Sequence, residues 1–276
     1  MESYYSFYEL YSRCFPEFPV SYRTFLQTLR PERGQIFAQW DKGSLIGYAL
    51  AHGSSVAMLC VEESHRRQGI GGWLMAQAEA AACRQSQPRM VLGQGAHYLF
   101  QGVPDGPAVD FFRERGYRAQ WYSVNMELSL KDFSLEKLNI PPAPEGLSFR
   151  FAELSDRAPL LAAVKEAKPA WTSIFETCQD PVLLAVLEGE IAGFLILDPK
   201  GGYFSAPGET VGSIGCVGVV PAWREQGIGL QLVAHGAEWL KSQGSTQVEL
   251  RYTWLENWYG KLGFATTCRQ WMAEKE

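Results

Sequence analysis

Two stretches of the chain show apolar runs of five to seven residues on either side of a short turn that contains glycine. The first pair of runs spans 36–40 and 45–50, and the second pair spans 183–187 and 191–197. Short apolar runs separated by a tight turn are typical of β-hairpins. The pattern therefore predicts one hairpin in each half of the chain.

A second pattern follows each predicted hairpin. A β-rich run, 55–61 in the first half and 214–220 in the second, leads into a glycine-rich turn and a stretch with helical spacing. The apolar residues of these stretches are Ile70, Leu74, Ala78 and Ala81 in the first half, and Leu230, Val233, Ala237 and Leu240 in the second. Because residues three or four apart lie on one face of a helix, each half is predicted to contain a strand, a tight turn and an amphipathic helix.

The turns themselves are repeated. Residues 66–71 read Arg-Arg-Gln-Gly-Ile-Gly, and residues 224–229 read Arg-Glu-Gln-Gly-Ile-Gly. A third match lies farther along, where 111–117 reads Phe-Phe-Arg-Glu-Arg-Gly-Tyr and 258–264 reads Trp-Tyr-Gly-Lys-Leu-Gly-Phe. Three features that recur in the same order indicate a duplicated fold.

A proline-rich segment, Pro-Pro-Ala-Pro-Glu-Gly at 141–146, separates the two halves. Proline fixes the backbone and removes a hydrogen-bond donor, so this segment is predicted to be a linker. The chain of 276 residues is long enough for two compact domains. The predicted domains are therefore 1–140 and 147–276.

The two predicted domains begin differently. The second opens with an alternating strand pattern over 147–151 and a helix over 156–168. The first opens on a helix over 4–14 with no strand pattern before it, so it is predicted to lack a first strand. Two turn-rich segments, 94–107 and 198–212, differ in length between the halves and are predicted to run over the surface.

A glycine turn between a strand and a helix directs backbone N–H groups and the positive end of the helix dipole towards one point. A pyrophosphate is the expected ligand of such a turn. The Walker loop is excluded because neither turn ends in Gly-Lys-Ser/Thr, and the dinucleotide fingerprint is excluded because Leu74 and Leu232 replace its last glycine.

The remaining pattern, Arg-x-x-Gly-x-Gly after a valine-rich strand, resembles the coenzyme A loop of the GNAT superfamily of acyl-CoA-dependent N-acyltransferases. Trp258-Tyr259-x-x-x-Gly263-Phe264 resembles the second motif of that superfamily. The resemblance also covers strands expected at 89–93 and 247–250. It implies an α/β fold with two tandem GNAT domains, each a twisted, mostly antiparallel sheet with a splayed central strand pair flanked by helices.

The resemblance implies that a neutral amine attacks the acyl-CoA thioester directly and that a tyrosine protonates the departing thiolate. The matching position in the second half is Tyr259, four residues before Gly263, whereas the first half has Phe112 there. We therefore expect catalysis in the second domain. The first domain then binds coenzyme A structurally, uses another acid or has lost activity. Both aromatic residues could instead only pack their helices against the sheet.

The resemblance also implies which residues contact acetyl-CoA, with backbone groups of the strand meeting the pantetheine and the loop meeting the pyrophosphate. In the second domain these are Val217, Val219, Arg224, Gln226, Gly227, Ile228 and Gly229, and in the first they are Leu59, Val61, Arg66, Gln68, Gly69, Ile70 and Gly71. Each arginine could instead be a surface charge.

Some features of the family do not transfer. An asparagine expected seven residues before Tyr259 is replaced by Tyr252. The general base is not evident, and Glu249, Glu209 or a water chain remain alternatives, although both carboxylates are expected to face solvent instead. Trp254 and Trp258 could line an acceptor pocket or pack in the core, and His97 with Tyr98 could supply acid–base chemistry to the first half.

Composition and charge exclude some classes of binding partner. The net charge of −5 gives no basic surface for nucleic acid or anionic lipid. No apolar stretch is long enough for a membrane helix, and residues 1–5 do not resemble a secretory signal, so a cytoplasmic location is predicted. The six cysteines have no metal-ligand spacing and are predicted to be reduced thiols. No metal site is expected.

Together these features favour an N-acetyltransferase that transfers an acetyl group from acetyl-CoA to a primary amine of a small-molecule acceptor in a ternary complex. A non-catalytic protein that binds or senses acyl-CoA is the alternative, and a protein acetyltransferase is a third possibility without a supporting acidic tract. The acceptor and the oligomeric state are left open by the sequence.

Overall fold

The computed structural model describes residues 4–84 and 89–276, and its contacts divide the chain into two compact units. Both units are discontinuous in sequence. Unit 1 comprises Met1–Val124, Tyr203–Ala206 and Cys268–Glu276, and unit 2 comprises Asn125–Gly202 and Pro207–Thr267. The predicted domain limits, 1–140 and 147–276, stay a prediction.

The first part of the chain supplies helices and strands that alternate as the hydrophobic pattern predicts. They are α1 (Tyr5–Cys14), α2 (Tyr22–Leu29), β1 (Gln35–Asp41), β2 (Ser44–His52), β3 (Ser55–Val61), α3 (Ile70–Arg84), β4 (Met90–Leu92), β5 (Val103–Pro104), α4 (Pro107–Glu114) and β6 (Arg118–Ser129). From Asn125 onward β6 belongs to unit 2.

The second part repeats this order with an additional strand at its start and, within the described residues, without a counterpart of β5. The elements are β7 (Ser148–Phe151), α5 (Arg157–Ala167), α6 (Thr172–Thr177), β8 (Val182–Leu187), β9 (Glu190–Asp198), β10 (Val211–Val219), α7 (Ile228–Ser242), β11 (Gln247–Thr253), α8 (Glu256–Gly260) and β12 (Ala265–Lys275). From Cys268 onward β12 belongs to unit 1.

In unit 1, β1, β2 and β3 pair antiparallel, and β3 pairs parallel with β4 through Ser55–Val91 and Val56–Leu92. The last residues of β12 pair antiparallel with β4, with Glu274 opposite Val91. The predicted first hairpin is thus confirmed. In the described residues α1 and α2 precede the first strand of this unit.

In unit 2, β7, β8, β9 and β10 pair antiparallel in that order, which confirms the second predicted hairpin. β10 and β11 pair parallel, and the part of β6 in this unit follows β11 in the strand order. Both units therefore contain mixed, mostly antiparallel sheets flanked by helices, as the fold class predicts. No helix of the described residues is long and apolar enough to cross a membrane.

The prediction that 94–107 and 198–212 run over the surface is wrong for part of each segment. Leu99, Phe100 and Phe204 are buried in the core of unit 1. The rings of Phe100 and Phe204 stack with centroids 5.3 Å apart, and Phe18 from the segment after α1 contacts both. These side chains are buried because packing in the aromatic cluster removes their apolar area from water.

The start of α5 is held by a carboxylate. Asp156 accepts a hydrogen bond from the Glu153 backbone N–H at 2.8 Å and two from the Arg150 guanidinium at 2.5 and 2.7 Å. Arg150 lies on β7, so this contact joins the strand to the helix that follows it. The Arg150 hydrogen bonds, followed by that of Glu153, lower the pKa of Asp156 to about 2.

Candidate active site

A cleft opens in unit 2 where two neighbouring strands separate. β10 and β11 pair only from Val211 to Ser213, although β10 continues to Val219. The register of β10 against β9 shifts between Gly215 and Gly218, which marks a β-bulge. The separated strands border a cleft of about 310 Å³.

Two residues with left-handed backbone lie at the separation. Cys216 on β10 has a φ of 51°, and Tyr252 on β11 has a φ of 63°. Non-glycine residues seldom adopt this conformation, and it persists where the surrounding structure enforces it, often at functional sites. The burial of Cys216 raises the pKa of its thiol to about 11, so this cysteine is a neutral thiol near pH 7.

The cleft has walls from three parts of unit 2. One wall is β10, a second is β11 with the turn into α8, and the third is the end of α5 with the turn that follows it. The lining residues that bear on the chemistry are Lys168, Trp171, Cys216, Val217, Val219, Arg224, Arg251, Tyr252, Trp254, Leu255 and Tyr259.

Tyr259, the predicted acid, lines this cleft from α8. Only 6% of its surface is exposed, and its ring packs edge-on against Trp258 and Phe264. Burial raises the pKa of the Tyr259 phenol, so the hydroxyl retains its proton near neutral pH. A buried phenol at the edge of a cleft can therefore donate a proton to a group bound there.

Val217 and Val219, predicted to meet pantetheine, lie on the β10 wall. Arg224 follows in the turn, and its Nε donates to the Val219 carbonyl at 3.0 Å while Nη2 donates to the Ala167 carbonyl at 3.3 Å. Arg224 thus joins the end of β10 to the end of α5. Its charge lies beside the predicted pyrophosphate loop.

The loop itself has the backbone geometry of an anion-binding turn. Glu225 and Gly227 have φ values of 64° and 79°, and α7 begins at Ile228. Left-handed residues beside a helix N-terminus turn successive N–H groups towards one side. Ile228 is buried, so Gln226 and the loop backbone are what this segment can present to a ligand.

Glycine is required by close contacts around this loop. A Cβ at Gly227 would lie 3.1 Å from Pro141 Cβ, and a Cβ at Gly229 would lie 3.0 Å from Trp258 Cζ2. Gln231, one turn into α7, donates to the Pro141 carbonyl at 2.6 Å. The start of the predicted linker segment thus packs against the second glycine loop, and Trp258 covers it from α8.

Unit 1 contains the same turn. Arg66 Nε donates to the Val61 carbonyl at 3.0 Å, Arg67 and Gly69 have φ values of 60° and 86°, and α3 begins at Ile70. Gln68 donates to the Ser64 carbonyl at 3.1 Å, and a Cβ at Gly71 would meet Phe111 at 3.6 Å. The structure therefore brings Val61, Arg66, Gln68, Gly69, Ile70 and Gly71 together in the predicted order.

The strand before this turn differs from β10. Ala57, Met58 and Cys60 of β3 are buried, with only Leu59 and Val61 half-buried. β4 ends at Leu92, so it stops where its counterpart β11 continues along the cleft. Leu99 and Phe100 pack in the same cluster as Met58 and Cys60. β3 is therefore more deeply buried than the stretch 215–217 of β10, which is half-buried.

Phe112, which corresponds to Tyr259, is buried in unit 1 and packs edge-on against Tyr117 with ring centroids 5.7 Å apart. His97 and Tyr98 lie in a different pocket of about 250 Å³ in unit 1, with Thr28 and Tyr203. Burial, followed by the charge of His52, lowers the pKa of His97. This pocket contains neither Phe112 nor a residue of the first glycine loop.

The carboxylates considered as bases do not line the cleft. Glu249 is fully buried and forms an ion pair with Arg251 at 2.8 Å, so its interpretation as a solvent-facing carboxylate is wrong. Glu209 is exposed and accepts a hydrogen bond from Gln247 at 2.7 Å. Burial, followed by Glu249 and Glu209, raises the pKa of Glu127.

The sequence patterns did not predict two of the lining residues, and they left open whether a third packs in the core. Lys168 and Arg251 belong to no motif, and only the fold brings them to one cleft. Trp254 is 63% exposed, so the core-packing alternative is wrong for it, whereas Trp258 is half-buried against Gly229. A cation near a motif carries no sequence signal that separates it from a surface charge.

Two family models match the chain in succession. The acetyltransferase (GNAT) domain model matches residues 32–119, and the acetyltransferase (GNAT) family model matches residues 150–264. The chain is a tandem member of the GNAT family. Proteins of this family transfer acyl groups from acyl-CoA, and the two matched segments contain the two glycine turns.

Solved structures of tandem GNAT proteins have the same fold. A GCN5-related glucosamine N-acetyltransferase region of a fungal multi-domain GH3 beta-N-acetylglucosaminidase superposes with a TM-score of 0.80 at 22% identity over 96% of this chain. The chain spans only 36% of that protein.

Two further structures match the tandem GNAT chain over nearly its whole length. A GCN5-related N-acetyltransferase from Sphaerobacter thermophilus has a TM-score of 0.71 at 21% identity, with 98% of this chain and 91% of that one covered. A tandem GNAT protein from the clavulanic acid biosynthesis pathway has a TM-score of 0.71 at 16% identity, with 99% and 94% covered. No curated protein sequence matches the chain. At these identities the likeness concerns the fold.

The described residues contain no group of three or more His, Cys, Asp or Glu side chains that could hold a metal ion. The six cysteines are free thiols.

Proposed function

We propose that unit 2 transfers an acetyl group from acetyl-CoA to a primary amine of a small-molecule acceptor, by direct attack in a ternary complex. The observation that carries this proposal is the position of Tyr259. Its phenol, which is buried and protonated near neutral pH, lines the cleft between the separated strands, whereas the corresponding residue of unit 1 is the buried Phe112.

The residues of unit 2 fit acetyl-CoA. The half-buried stretch 215–217 of β10 leaves backbone accessible for the amide-rich pantetheine, in the manner of an added strand. The left-handed Glu225 and Gly227 and the N-terminus of α7 suit a pyrophosphate. Gln226, Ile228 and Gly229 would contribute backbone there, and Arg224 its charge. The bound thioester would supply the activated acyl group.

Two elements of this chain then serve the reaction. Backbone N–H groups at the β10 bulge would donate to the acyl oxygen and stabilise the negative charge that develops on it. The Tyr259 hydroxyl would hold a proton for the departing sulfur. The separation of β10 from β11 supports this arrangement because it frees the bulge from pairing with a neighbouring strand.

The acceptor amine must be neutral to attack. Lys168, Arg224 and Arg251 line the cleft, and none of the described lining residues is an aspartate or glutamate. Nearby positive charges lower the pKa of an ammonium group because they disfavour its charged form. The cleft would therefore favour the neutral amine without a dedicated carboxylate base.

We infer that unit 1 does not transfer acyl groups. It retains the glycine turn, but Phe112 has no hydroxyl, and Ala57, Met58 and Cys60 of β3 are buried. The acyl-CoA sensor is the alternative for the whole chain, and the protonated phenol in the cleft of unit 2 favours the enzyme. The cytoplasmic location and the absence of nucleic-acid and membrane partners stay predictions from the sequence.

The test is a Tyr259→Phe variant in an assay that detects free thiol released from acetyl-CoA. The acceptor panel would contain simple amines, amino acids and glucosamine, the sugar named for one structural relative. Loss of the acid is expected to lower kcat by about 10²- to 10⁴-fold, with the Kd for acetyl-CoA unchanged.

The matched control is Tyr122→Phe, which removes a hydroxyl from a residue of unit 1 that is 38% exposed, and kcat should stay at the wild-type value. A folded Tyr259→Phe protein with undiminished kcat would show that the phenol is not the acid. Saturable acetyl-CoA binding without thiol release for any acceptor would favour the sensor.

A further inference from the structure

The described charged residues that line the cleft of unit 2 are all cations. Arg224 is held between the ends of β10 and α5 through its bonds to Val219 and Ala167. The other two cations lie on different elements of the lining, Lys168 at the end of α5 and Arg251 on β11, where Arg251 is paired with the buried Glu249. A ligand in this cleft therefore meets cationic side chains from more than one element.

The guanidinium of Arg251 is fixed in place. Its Nη1 donates to Glu249 Oε2 at 2.8 Å and to the Gly201 carbonyl at 2.9 Å, and only 17% of the side chain is exposed. Buried ion pairs often add little stability, since apolar residues of similar volume can replace them without loss. We therefore interpret this pair as a contact that positions the Arg251 guanidinium in the cleft wall, rather than as a source of stability.

A fixed guanidinium is suited to a carboxylate. Its planar N–H groups match the two oxygens of a carboxylate, and such charge-assisted bonds are stronger than those between neutral groups. An acceptor that brings a negative charge would offset the cations that line the cleft. A polyamine or a simple alkylamine would bring only more positive charge.

The rest of the lining is apolar and aromatic. Trp171 lies beside Lys168, and Tyr252, Trp254 and Leu255 follow Arg251 along the chain. Trp254 and Leu255 are 63% and 44% exposed, so both present apolar surface that a bound molecule could cover. Aromatic side chains offer large contact areas to apolar or aromatic groups.

We propose that the acceptor of unit 2 is an amino acid with an apolar or aromatic side chain, whose carboxylate is bound by Arg251 and Lys168. This inference rests on the proposed acetyltransferase function. In the reaction the amine nitrogen forms a bond with the acyl carbon, and the carbon–sulfur bond breaks. The sulfur takes a proton from Tyr259, the nitrogen releases one to solvent, and solvent returns one to the Tyr259 phenolate, which yields an N-acetylamino acid, free coenzyme A and the original enzyme.

The experiment compares each amino acid with the amine that lacks its carboxylate. L-phenylalanine is paired with phenethylamine, L-tryptophan with tryptamine, and phenylalaninamide keeps the substituent without its charge. The wild-type protein should show a kcat/KM for the amino acids at least about tenfold above that for the uncharged partners, the effect of one good ionic contact.

Two variants connect this preference to the residues. Arg251→Lys keeps a cation beside the buried Glu249 but loses the planar guanidinium that matches a carboxylate. Lys168→Met removes the positive charge of that side chain. Each should raise KM for the amino acid by about fivefold or more and lower the ratio of kcat/KM for L-phenylalanine to kcat/KM for phenethylamine by a similar factor. Lys165→Met, on the exposed side of the same helix, is the control and should leave both values unchanged.

The failure of the inference is distinguishable from that of the proposed function. Amines acetylated as well as or better than their amino acids would overturn the inference while acetyl transfer stands, as would a preference that neither variant reduces. If acetyl-CoA binds and neither class is acetylated, the proposed function and the inference both fail. Should Arg251→Lys not fold, the wild-type preference and the Lys168→Met variant still decide.

Discussion

The two glycine loops offer a paired test of which unit binds acetyl-CoA. Gly227 and Gly69 occupy equivalent positions with φ values of 79° and 86°. An alanine at either position would be forced into left-handed backbone at a cost of roughly 1–2 kcal/mol. For a protein of this size we expect each substitution to lower Tm by about 2–8 °C.

The surroundings of the two positions differ. A Cβ at Gly69 would have no atom within 4 Å, whereas a Cβ at Gly227 would lie 3.1 Å from Pro141 Cβ. Gly227→Ala must therefore displace the loop or Pro141 as well as accept the strained backbone. Since the binding of a pyrophosphate depends on aligned N–H groups, this displacement is expected to raise the Kd for acetyl-CoA by at least about tenfold, or 1.4 kcal/mol.

Isothermal titration calorimetry with acetyl-CoA measures both the affinity and the number of sites. One site per chain is expected, weakened in Gly227→Ala and unchanged in Gly69→Ala, while both variants show similar decreases in Tm by calorimetry. A second site that disappears in Gly69→Ala would contradict the single site and show that the glycine loop of unit 1 also binds acetyl-CoA. Unchanged affinity in a folded Gly227→Ala protein would refute the role of the second loop.

The remaining predictions concern protons. Asp156→Asn removes the carboxylate that accepts hydrogen bonds from Arg150 and from the Glu153 backbone amide. We expect the substitution to lower the free energy of unfolding of unit 2 by about 1 kcal/mol near pH 7, as measured by urea unfolding. Because the folded-state pKa of Asp156 is lowered to about 2, its stabilisation is complete above about pH 4 and is lost as the pH falls towards 2. The difference between wild type and variant should therefore shrink over that window, and a constant difference would contradict the assignment. Because burial raises the pKa of Tyr259, kcat should not decline with a pKa near 10 when the pH is raised from 7 to 10, and such a decline, if it disappears in Tyr259→Phe, would contradict the raised pKa of the phenol.

Local sequence patterns predicted much of the fold because they depend on neighbouring residues. The predicted strand 55–61 is β3 at its full length, and the predicted helices 4–14 and 156–168 appear as α1 and α5. Glycine at 69 and 227 indicated left-handed turns, and both turns have positive φ. In these places the local preference and the final structure agree.

The rest depends on contacts between distant residues. Cys216 and Tyr252 have left-handed backbone that no propensity predicts for cysteine or tyrosine. Lys168 and Arg251 lie 83 positions apart in the sequence, so only the fold shows that they share a cleft. The burial of Phe204 likewise follows from packing against Phe100 rather than from the turn-rich segment around it.

The discontinuous sequence of unit 1 has a consequence for biosynthesis. Trp271 is fully buried in this unit, and Glu274 pairs with β4, yet both follow the stretch that forms unit 2. At ribosomal rates, the 143 residues from Asn125 to Thr267 take roughly 7–30 s to synthesise. During that time β4 lacks its β12 neighbour and exposes an edge to aggregation. A nascent chain released before residue 268 would therefore leave its first unit unfinished, whatever the state of the second.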